Sequence, residues 1–349
     1  MIIKIIGIVL VMGIIIVIHE LGHFLSAVSI GVYPKEFAIG MGPAIYKKQG
    51  KSTLFSLRCL PFGGFCLFDT ETQGYDSKGR ALVFHERGAI SKVYMLLAGP
   101  VMNFVLAAVL FTILFSVMGV PVGYEAVISH TLPESPASQA GMQPGDRIVS
   151  IDGTALDSWS DLSRILDAKA DSGSRDFVIQ RDGKTIGLSV EPLYNEDENR
   201  VMIGVTVDPN FAILRRSGPL AGIGLGLKQT SVMMRVLVDA VTQMITGRLS
   251  VGENLSGPVA LVQVIGETVT SGLRNTLLLT AFLSVNLGIM NLLPIPALDG
   301  GRIILYLLEL ARGKPLKLEV EGWINMVGYM LLISLMVFLT YRDLIKVFQ

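Results

Sequence analysis

Three ionisable residues interrupt the first long apolar stretch of the chain, within the sequence IVIHELGHFL. His19 and His23 are four residues apart, so on a helix their imidazoles share one face and can bind one metal ion. Glu20 follows the first histidine directly and can act as a general base on a water at that metal. Because ionisable side chains are costly in hydrocarbon, this pattern predicts a metal-dependent hydrolase inside a membrane. The alternative interpretation is a hydrogen-bonded histidine pair, as in a proton relay.

A catalytic zinc ion usually has three protein ligands and one open position for water, so a third ligand is needed. Asp299 is the strongest candidate, because it directly follows an apolar segment and precedes another apolar run, IILYLLEL. Glu309 is the second candidate, although we expect it to be a charge on a helix surface near Arg312. His85 and His130 are poor candidates, because one lies in a polar segment and the other lies in a polar insert predicted on the opposite side.

The sequence around Asp299, NLLPIPALDGGRI, predicts a broken helix. Pro294 and Pro296 lack the backbone donors that a continuous helix needs, and Gly300 and Gly301 permit a tight turn. Non-helical backbone at membrane depth is tolerated only where protein or a water-filled cavity satisfies it. We therefore expect a cavity at this point, which would also supply water for hydrolysis.

The composition indicates a membrane protein, since 51% of residues are hydrophobic and 17% are charged, against about 25% charged in soluble proteins. A helix crosses a bilayer with about 20 apolar residues. We expect a polytopic α-helical membrane protein with four transmembrane helices, at roughly 2–30, 93–118, 275–295 and 322–341. The formal net charge is zero, which gives no indication of a nucleic-acid partner.

Basic residues are concentrated in two of the links between these segments. Residues 31–92 contain nine Lys or Arg and five acidic residues, and Arg312, Lys314 and Lys317 lie between the third and fourth spans. The positive-inside rule therefore predicts that both links are cytoplasmic. Both chain termini would then be extracytoplasmic, and the HELGH and Asp299 motifs would lie towards the cytoplasmic side.

A polar insert at 121–208 is predicted on the extracytoplasmic side. It contains the strand-like sequences FVIQ, LSVEP and MIGVTV, and Asp-Gly turns at 152–153 and 182–183. Its sequence SPASQAGMQPGDRIVSIDG resembles the PDZ domains of bacterial proteases, in which a short helix, here 137–140, precedes a Gly-Asp turn and a strand. We expect a PDZ domain that binds a peptide terminus; a generic β-rich insert is the alternative.

Two further segments are expected to lie at the membrane surface. Residues 220–247 are apolar but carry Lys228, Arg235 and Asp239, which favours an interfacial amphipathic helix over a fifth span. Residues 36–68 alternate between apolar and polar residues and contain several glycines, which predicts membrane-associated β-hairpins. An open strand edge in lipid needs a pairing partner, and one such partner is an extended substrate.

The motifs resemble a known family when they are taken in order: HELGH in the first span, AGPVMN at the second, the PDZ-like insert, and SVNLGIMNLLPIPALDGGR near the third. Together they resemble the site-2 protease family of M50-type intramembrane zinc metalloproteases, in particular its bacterial RseP-type members. The resemblance covers essentially the whole chain. It implies a zinc endopeptidase that cleaves single-span membrane proteins, such as anti-sigma factors already trimmed outside the membrane, and remnant signal peptides.

The resemblance also implies roles for individual residues. His19, His23 and Asp299 would bind Zn²⁺, and Glu20 would be the general base. The predicted substrate-binding residues are Asn286, Asn291, Pro294 and Pro296. The two asparagines would hold the substrate backbone or the developing oxyanion; helix–helix hydrogen bonding is the alternative role for them.

The predicted organisation has four parts: a first half of the membrane metalloprotease core at 1–120, the PDZ domain at 121–208, an interfacial helix and linker at 209–274, and the second half of the core at 275–349. The implied location is the bacterial cytoplasmic (inner) membrane, in contact with lipid.

Two non-enzymatic functions are alternatives. An intramembrane metal or proton transporter would carry further ionisable residues through its spans, but the second and fourth spans have almost none in their interiors. A PDZ-bearing membrane chaperone would not need the HELGH motif, yet His19, Glu20, His23 and Asp299 are all present.

Overall fold

The computed structural model describes residues 1–68, 84, 87–167, 173–195, 200–208, 211–249 and 257–348. His85 and part of the basic segment 31–92 lie outside the described residues. The chain forms two compact units, one built from residues 1–115 and 218–349 and the other from residues 116–217.

The first unit is mainly helical. Its helices are α1 (Ile2–Ser29), α2 (Ala89–Ile113), α5 (Pro219–Ile245), α6 (Pro258–Thr270), α7 (Leu273–Leu292), α8 (Asp299–Arg312) and α9 (Leu318–Phe348). Among the described residues, four helical segments are long and apolar enough to cross a membrane: Ile2–Ser29, Ala89–Met118, Leu273–Asn291 and Glu319–Ile345. The four predicted transmembrane helices are thus confirmed by length and composition.

Two helices occupy the segment predicted as interfacial helix and linker. α5 is not among the candidate spans; it packs on α2, where a Cβ at Gly226 would meet the carbonyl oxygen of Ala108 at 2.8 Å. Its position at the membrane interface stays a prediction. α6 was not predicted, because its 13 residues are too few to read as a span. It contributes the fully buried Ile265 to a cluster with Ile15 of α1.

α1 and α2 approach each other closely at two glycines. A side chain at Gly22 would meet the α2 backbone at Gly99, 2.9 Å from its Cα. A side chain at Gly99 would meet the rings of His23 and His19, the latter at 2.8 Å. Small residues allow such contact between membrane helices, and here they bring α2 against the histidine face of α1.

The predicted hairpins are present as two long bent strands, β1 (Glu36–Gln49) and β2 (Leu54–Leu67). Residues 36–39 pair with 54–57 in parallel, and they also pair with 64–67 in the opposite direction. The bends lie at glycines with positive φ, including Gly40 at 88° and Gly63 at 84°. Residues 64–67 therefore form an edge: among the described residues, their only strand partner is the segment 36–39.

The predicted break before Asp299 is confirmed. α7 ends at Leu292 and α8 begins at Asp299, and the link contains Pro294 and Pro296. The expected turn at Gly300–Gly301 is wrong, since both glycines lie inside α8. They are required by close packing instead, because a Cβ at Gly300 would overlap the Leu292 carbonyl. The left-handed residue in the link is Ala297, with φ 76°.

The second unit is mostly β-structure. Its elements are β3 (Val120–Tyr124), β4 (Ile128–Thr131), α3 (Pro136–Gln139), β5 (Arg147–Ile151), β6 (Thr154–Ala155), α4 (Trp159–Asp167), β7 (Arg175–Arg181), β8 (Lys184–Val190), β9 (Leu193–Asn195), β10 (Arg200–Met202), β11 (Val205–Val207) and β12 (Ala212–Arg215). β5 to β8 form a four-stranded sheet in the order β6-β5-β7-β8, and the other described strands pair as β9 with β10, β4 with β11 and β3 with β12. Ile128, Ile151 and Phe177 are fully buried in its core.

The predicted short helix and both Asp-Gly turns occur in this unit. Arg181 pairs with Lys184 across the turn at 182–183, where both residues have positive φ, as a two-residue hairpin loop requires. The sequence MIGVTV is not one strand as expected. It divides into β10 and β11 at Gly204, whose φ is 72°.

Candidate metal centre and active-site cavity

Three side chains from distant parts of the chain converge on one point. His19 Nε2 lies 3.2 Å from Asp299 Oδ2, and His23 Nε2 lies 3.4 Å from the same oxygen. The two Nε2 atoms are 3.2 Å apart. Ligands on a tetrahedral zinc ion, with bonds of about 2.0–2.1 Å, are separated by about 3.3 Å. The three atoms therefore form one face of a tetrahedron of the size that Zn²⁺ requires.

Local structure explains this convergence. The histidines are one helical turn apart on α1, and each is only 8% exposed. Gly99 of α2 leaves room for their rings. Asp299 is the first residue of α8, so the break after α7 places its carboxylate beside the histidines.

The ring nitrogens that face away from Asp299 also have partners. His23 Nδ1 lies 2.8 Å from the Met95 carbonyl oxygen, to which it can donate. His19 Nδ1 lies 3.3 Å from the side-chain amide of Asn103. Hydrogen bonds of this kind fix the tautomer and direct Nε2 towards a metal.

Sequence reasoning missed the role of Asn103. Its side chain is fully buried, and no described residue pairs with its Oδ1. Oxygen and nitrogen of an amide are assigned from hydrogen bonding, and the flipped orientation would let Oδ1 accept a hydrogen bond from the N–H at His19 Nδ1. Ser284 of α7 donates to the Asn103 carbonyl oxygen at 2.8 Å. The available signal was an asparagine in the middle of an apolar span, within the motif AGPVMN.

A cavity of about 430 Å³ opens at these residues. Its lining includes His19, Glu20, His23, Asp299, Asn291, Gly64, Phe65, Cys66, Asn325 and Tyr329. Of the predicted substrate-binding residues, Asn291 is in the lining. Asn286, Pro294 and Pro296 are not among the lining residues.

Glu20 lies beside the edge strand 64–67. Its Cγ would be 3.4 Å from a Cβ at Gly64, and its carboxylate accepts a hydrogen bond from the backbone of Cys66. Burial, followed by the negative charge of Glu20, raises the pKa of the Cys66 thiol.

Buried charges hold α8 to its neighbours. Lys92 Nζ of α2 lies 3.2 Å from Glu309 Oε1. Tyr306 donates to Glu321 of α9 at 2.7 Å, and Arg302 contacts the same carboxylate at 3.3 Å. The expectation that Glu309 is a surface charge near Arg312 is wrong: Glu309 is 9% exposed, because its carboxylate neutralises a buried lysine on another helix.

Comparison with known proteins identifies related sequences over the whole chain. The family model described as Peptidase family M50 matches residues 7–335. The zinc metalloprotease RasP of Oceanobacillus iheyensis is 30% identical, covering 99% of this chain and 99% of that protein. The regulator of sigma-W protease RasP of Bacillus subtilis is 28% identical, again covering 99% of both chains.

Comparison with solved structures gives matches to part of the chain. One is the PDZ domain of an SdrC-like protein from Listeria monocytogenes, with 21% identity and a TM-score of 0.23. It covers 26% of this chain and 96% of that structure. This score is too low to assign a fold, so the PDZ identity of 121–208 stays a prediction.

Proposed function

Because this chain belongs to peptidase family M50 and is an intramembrane zinc metalloprotease, we propose that it cleaves single-span membrane proteins within the bilayer. The observation that carries this proposal is the contact of His19 and His23 with Asp299, which joins two motifs separated by most of the chain. The proposed substrates are anti-sigma-factor-type proteins after a first extracytoplasmic cut, and remnant signal peptides.

We assign His19, His23 and Asp299 as the zinc ligands. Their three facing atoms fit one metal ion, and the outward nitrogens of both histidines have the partners expected of metal ligands. When bound, Zn²⁺ acts as a Lewis acid that acidifies water and polarises the substrate carbonyl.

We assign Glu20 as the general base. It follows His19 on α1 and lines the same cavity, so its carboxylate is positioned to take a proton from the attacking water and return it to the leaving amine. The hydrogen bond from the Cys66 backbone orients the carboxylate.

The edge strand 64–67 is the proposed docking site for the substrate backbone. A helical substrate has its carbonyls in hydrogen bonds within the helix, so it must become extended before cleavage. Addition to the open edge would compensate for the lost bonds, and it would place the substrate chain beside Glu20. Asn291, which lines the cavity, is proposed to bind substrate as well. Pro294 and Pro296 shape the link before Asp299, and a role for them and for Asn286 in binding substrate stays a prediction.

We propose a multi-pass orientation in the bacterial cytoplasmic membrane. The proposed arrangement has cytoplasmic links at 31–92 and 311–321, an extracytoplasmic insert at 121–208, and both termini extracytoplasmic. The distribution of basic residues supports it.

We propose that the insert at 121–208 is a PDZ domain that binds a peptide terminus. A small cleft of about 70 Å³ lies between α4 and the residues around Gly204, and is lined by apolar side chains such as Leu162 and Ile203. A groove between a helix and a strand suits an extended peptide end. Such a site would favour substrates with a terminus exposed by the first cut.

Metal analysis of purified protein, together with cleavage of a model transmembrane peptide, tests the proposed function. Asp299→Asn should lose zinc and cleavage together, since one of three ligands becomes neutral. His130→Ala is the matched histidine control, because His130 is an exposed side chain that bonds Ser129; it should keep both. Full zinc and full cleavage in Asp299→Asn would overturn the ligand assignment.

A further inference from the structure

One face of α9 lies against the machinery around Asp299. Glu321, Asn325 and Gly328 follow each other at helical spacing and so share a face. Glu321 binds Tyr306 and Arg302 of α8. A Cβ at Gly328 would overlap the carbonyl of Pro296, and would lie 2.6 Å from the Pro296 Cβ. These two contacts fix α9 on either side of Asn325.

Asn325 lies at the cavity, and its side-chain oxygen makes no hydrogen bond to the described part of the chain. It lies in the candidate span Glu319–Ile345 and lines the cavity that contains the three proposed ligands. No described residue pairs with its side-chain oxygen, which is buried. Asparagines in membrane helices commonly bond a neighbouring helix, and that explanation fails for this oxygen among the described residues. A polar group in a span without such a partner indicates function.

An extended substrate supplies the missing partner. A strand added to the edge 64–67 pairs one row of its backbone groups, while the second row points away from the sheet. In a membrane an unpaired backbone group is strongly unfavourable. A side-chain amide offers both a donor and an acceptor, which matches the N–H and C=O groups of that second row.

We propose that Asn325 is a substrate-binding residue whose amide hydrogen-bonds the backbone of the extended substrate near the scissile bond. This inference rests on the proposed function of the cavity and extends it to α9. It assigns α9 a direct part in binding substrate, in addition to its packing on α8.

Disulfide cross-linking tests the contact directly. The background enzyme carries Glu20→Gln, so that it retains uncleaved substrate, and alanines at Cys59 and Cys66. A single cysteine is then introduced by Asn325→Cys. The control is Ser334→Cys in the same background, since Ser334 is an exposed α9 residue that bonds only its own helix. The substrate is a model transmembrane peptide with single cysteines placed along its length. Cross-links at 325, limited to substrate positions within a few residues of the cleavage site, are expected. Equal cross-linking at 334, or none at 325, would overturn the proposal.

Kinetics of the otherwise wild-type enzyme provide the second test. Asn325→Ala should raise KM about 10-fold with little change in kcat, the loss expected for about one hydrogen bond in binding, and zinc content should stay at the wild-type level. Ser334→Ala should change neither constant. An unchanged KM, or a fall in zinc that matches the fall in activity, would show that Asn325 has no role in binding substrate. Wild-type enzyme that failed to cleave this peptide would contradict the proposed function instead.

Discussion

The ammonium group of Lys92 lies 3.2 Å from a carboxylate oxygen of Glu309, and both side chains are almost fully buried. The pair joins α2, which packs against the histidines, to α8, which begins at Asp299. Lys92 also lies over the ring of Tyr306, 4.9 Å from its centroid. The position of the aspartate relative to the histidines therefore depends on a charge pair whose lysine lies far from it in sequence.

Removing one member of this pair should destabilise the protein strongly. Lys92→Met leaves a buried carboxylate without its partner, which costs about 3–5 kcal/mol. The double variant Lys92→Met/Glu309→Leu should recover most of that loss, because no buried charge remains. Thermal unfolding in detergent measures both effects. Arg164→Ala, which breaks the exposed pair with Asp161, is the control and should change stability by about 1 kcal/mol or less. Equal Tm values for Lys92→Met and the wild type would disprove the role of the pair.

Asn103 should control zinc affinity without binding the metal. Asn103→Ala removes the partner of His19 Nδ1, and loss of such a partner typically weakens metal binding about 10–100-fold. Competition with a chelator measures the affinity. Thr112→Ala is the control on the same helix, since its hydroxyl donates only to Ala108. Unchanged zinc affinity in Asn103→Ala would refute this positioning role.

The unit formed by 116–217 should lose stability in acid through Asp146. Burial alone would raise the pKa of this carboxyl, but hydrogen bonds from Arg181 and the Gln143 backbone, with the Arg181 charge, lower the pKa below its usual value. A lowered folded-state pKa stabilises the fold above the unfolded value, about 3.9. That stabilisation is lost as pH falls through the folded-state pKa.

Fluorescence of Trp159 can follow this unit in a full-length Trp323→Phe protein, since the sequence has two tryptophans. The Tm of the unit should be steady near neutral pH and fall below about pH 4. Asp146→Asn should lower Tm at neutral pH and should make the fall in Tm at acid pH smaller. An identical pH profile in the two proteins would show that Asp146 is not the responsible group.

The proposed orientation predicts which segments are accessible from outside the cell. In proteins lacking Cys59 and Cys66, an impermeant thiol reagent applied to intact cells should label a cysteine at 134 and not one at 51. Both native residues are exposed, so burial does not decide the result. Labelling at 51 would show that the orientation is the reverse of the one proposed.

Much of the membrane unit could be predicted from sequence because its physical signals are local. Apolar length predicts the four spans, and the spacing of His19 and His23 predicts a shared face. Pro294 and Pro296, two residues apart, predict the break before Asp299. Each of these depends on a single stretch of chain, so no knowledge of packing is needed.

The missed features depend on contacts between distant segments. The sequence suggests a surface charge at Glu309, but in the structure Glu309 pairs with the buried Lys92. The sequence suggests a turn at Gly300, but in the structure Gly300 packs against the Leu292 carbonyl. Asn103 and Asn325 are polar residues in largely apolar helices, and sequence does not show which face of a helix meets the cavity. Predicting these requires the packing of α2, α8 and α9.

Cleavage by Glu20→Gln, measured beside its zinc content, tests the central claim most directly. The amide preserves the size of the side chain but cannot accept the proton of the attacking water, whereas His19, His23 and Asp299 are unaltered. We predict one zinc ion bound as in the wild type, and cleavage of a model transmembrane peptide lowered by at least about 10²–10⁴-fold. Near-wild-type turnover in zinc-loaded Glu20→Gln would contradict the assignment of Glu20 as the general base.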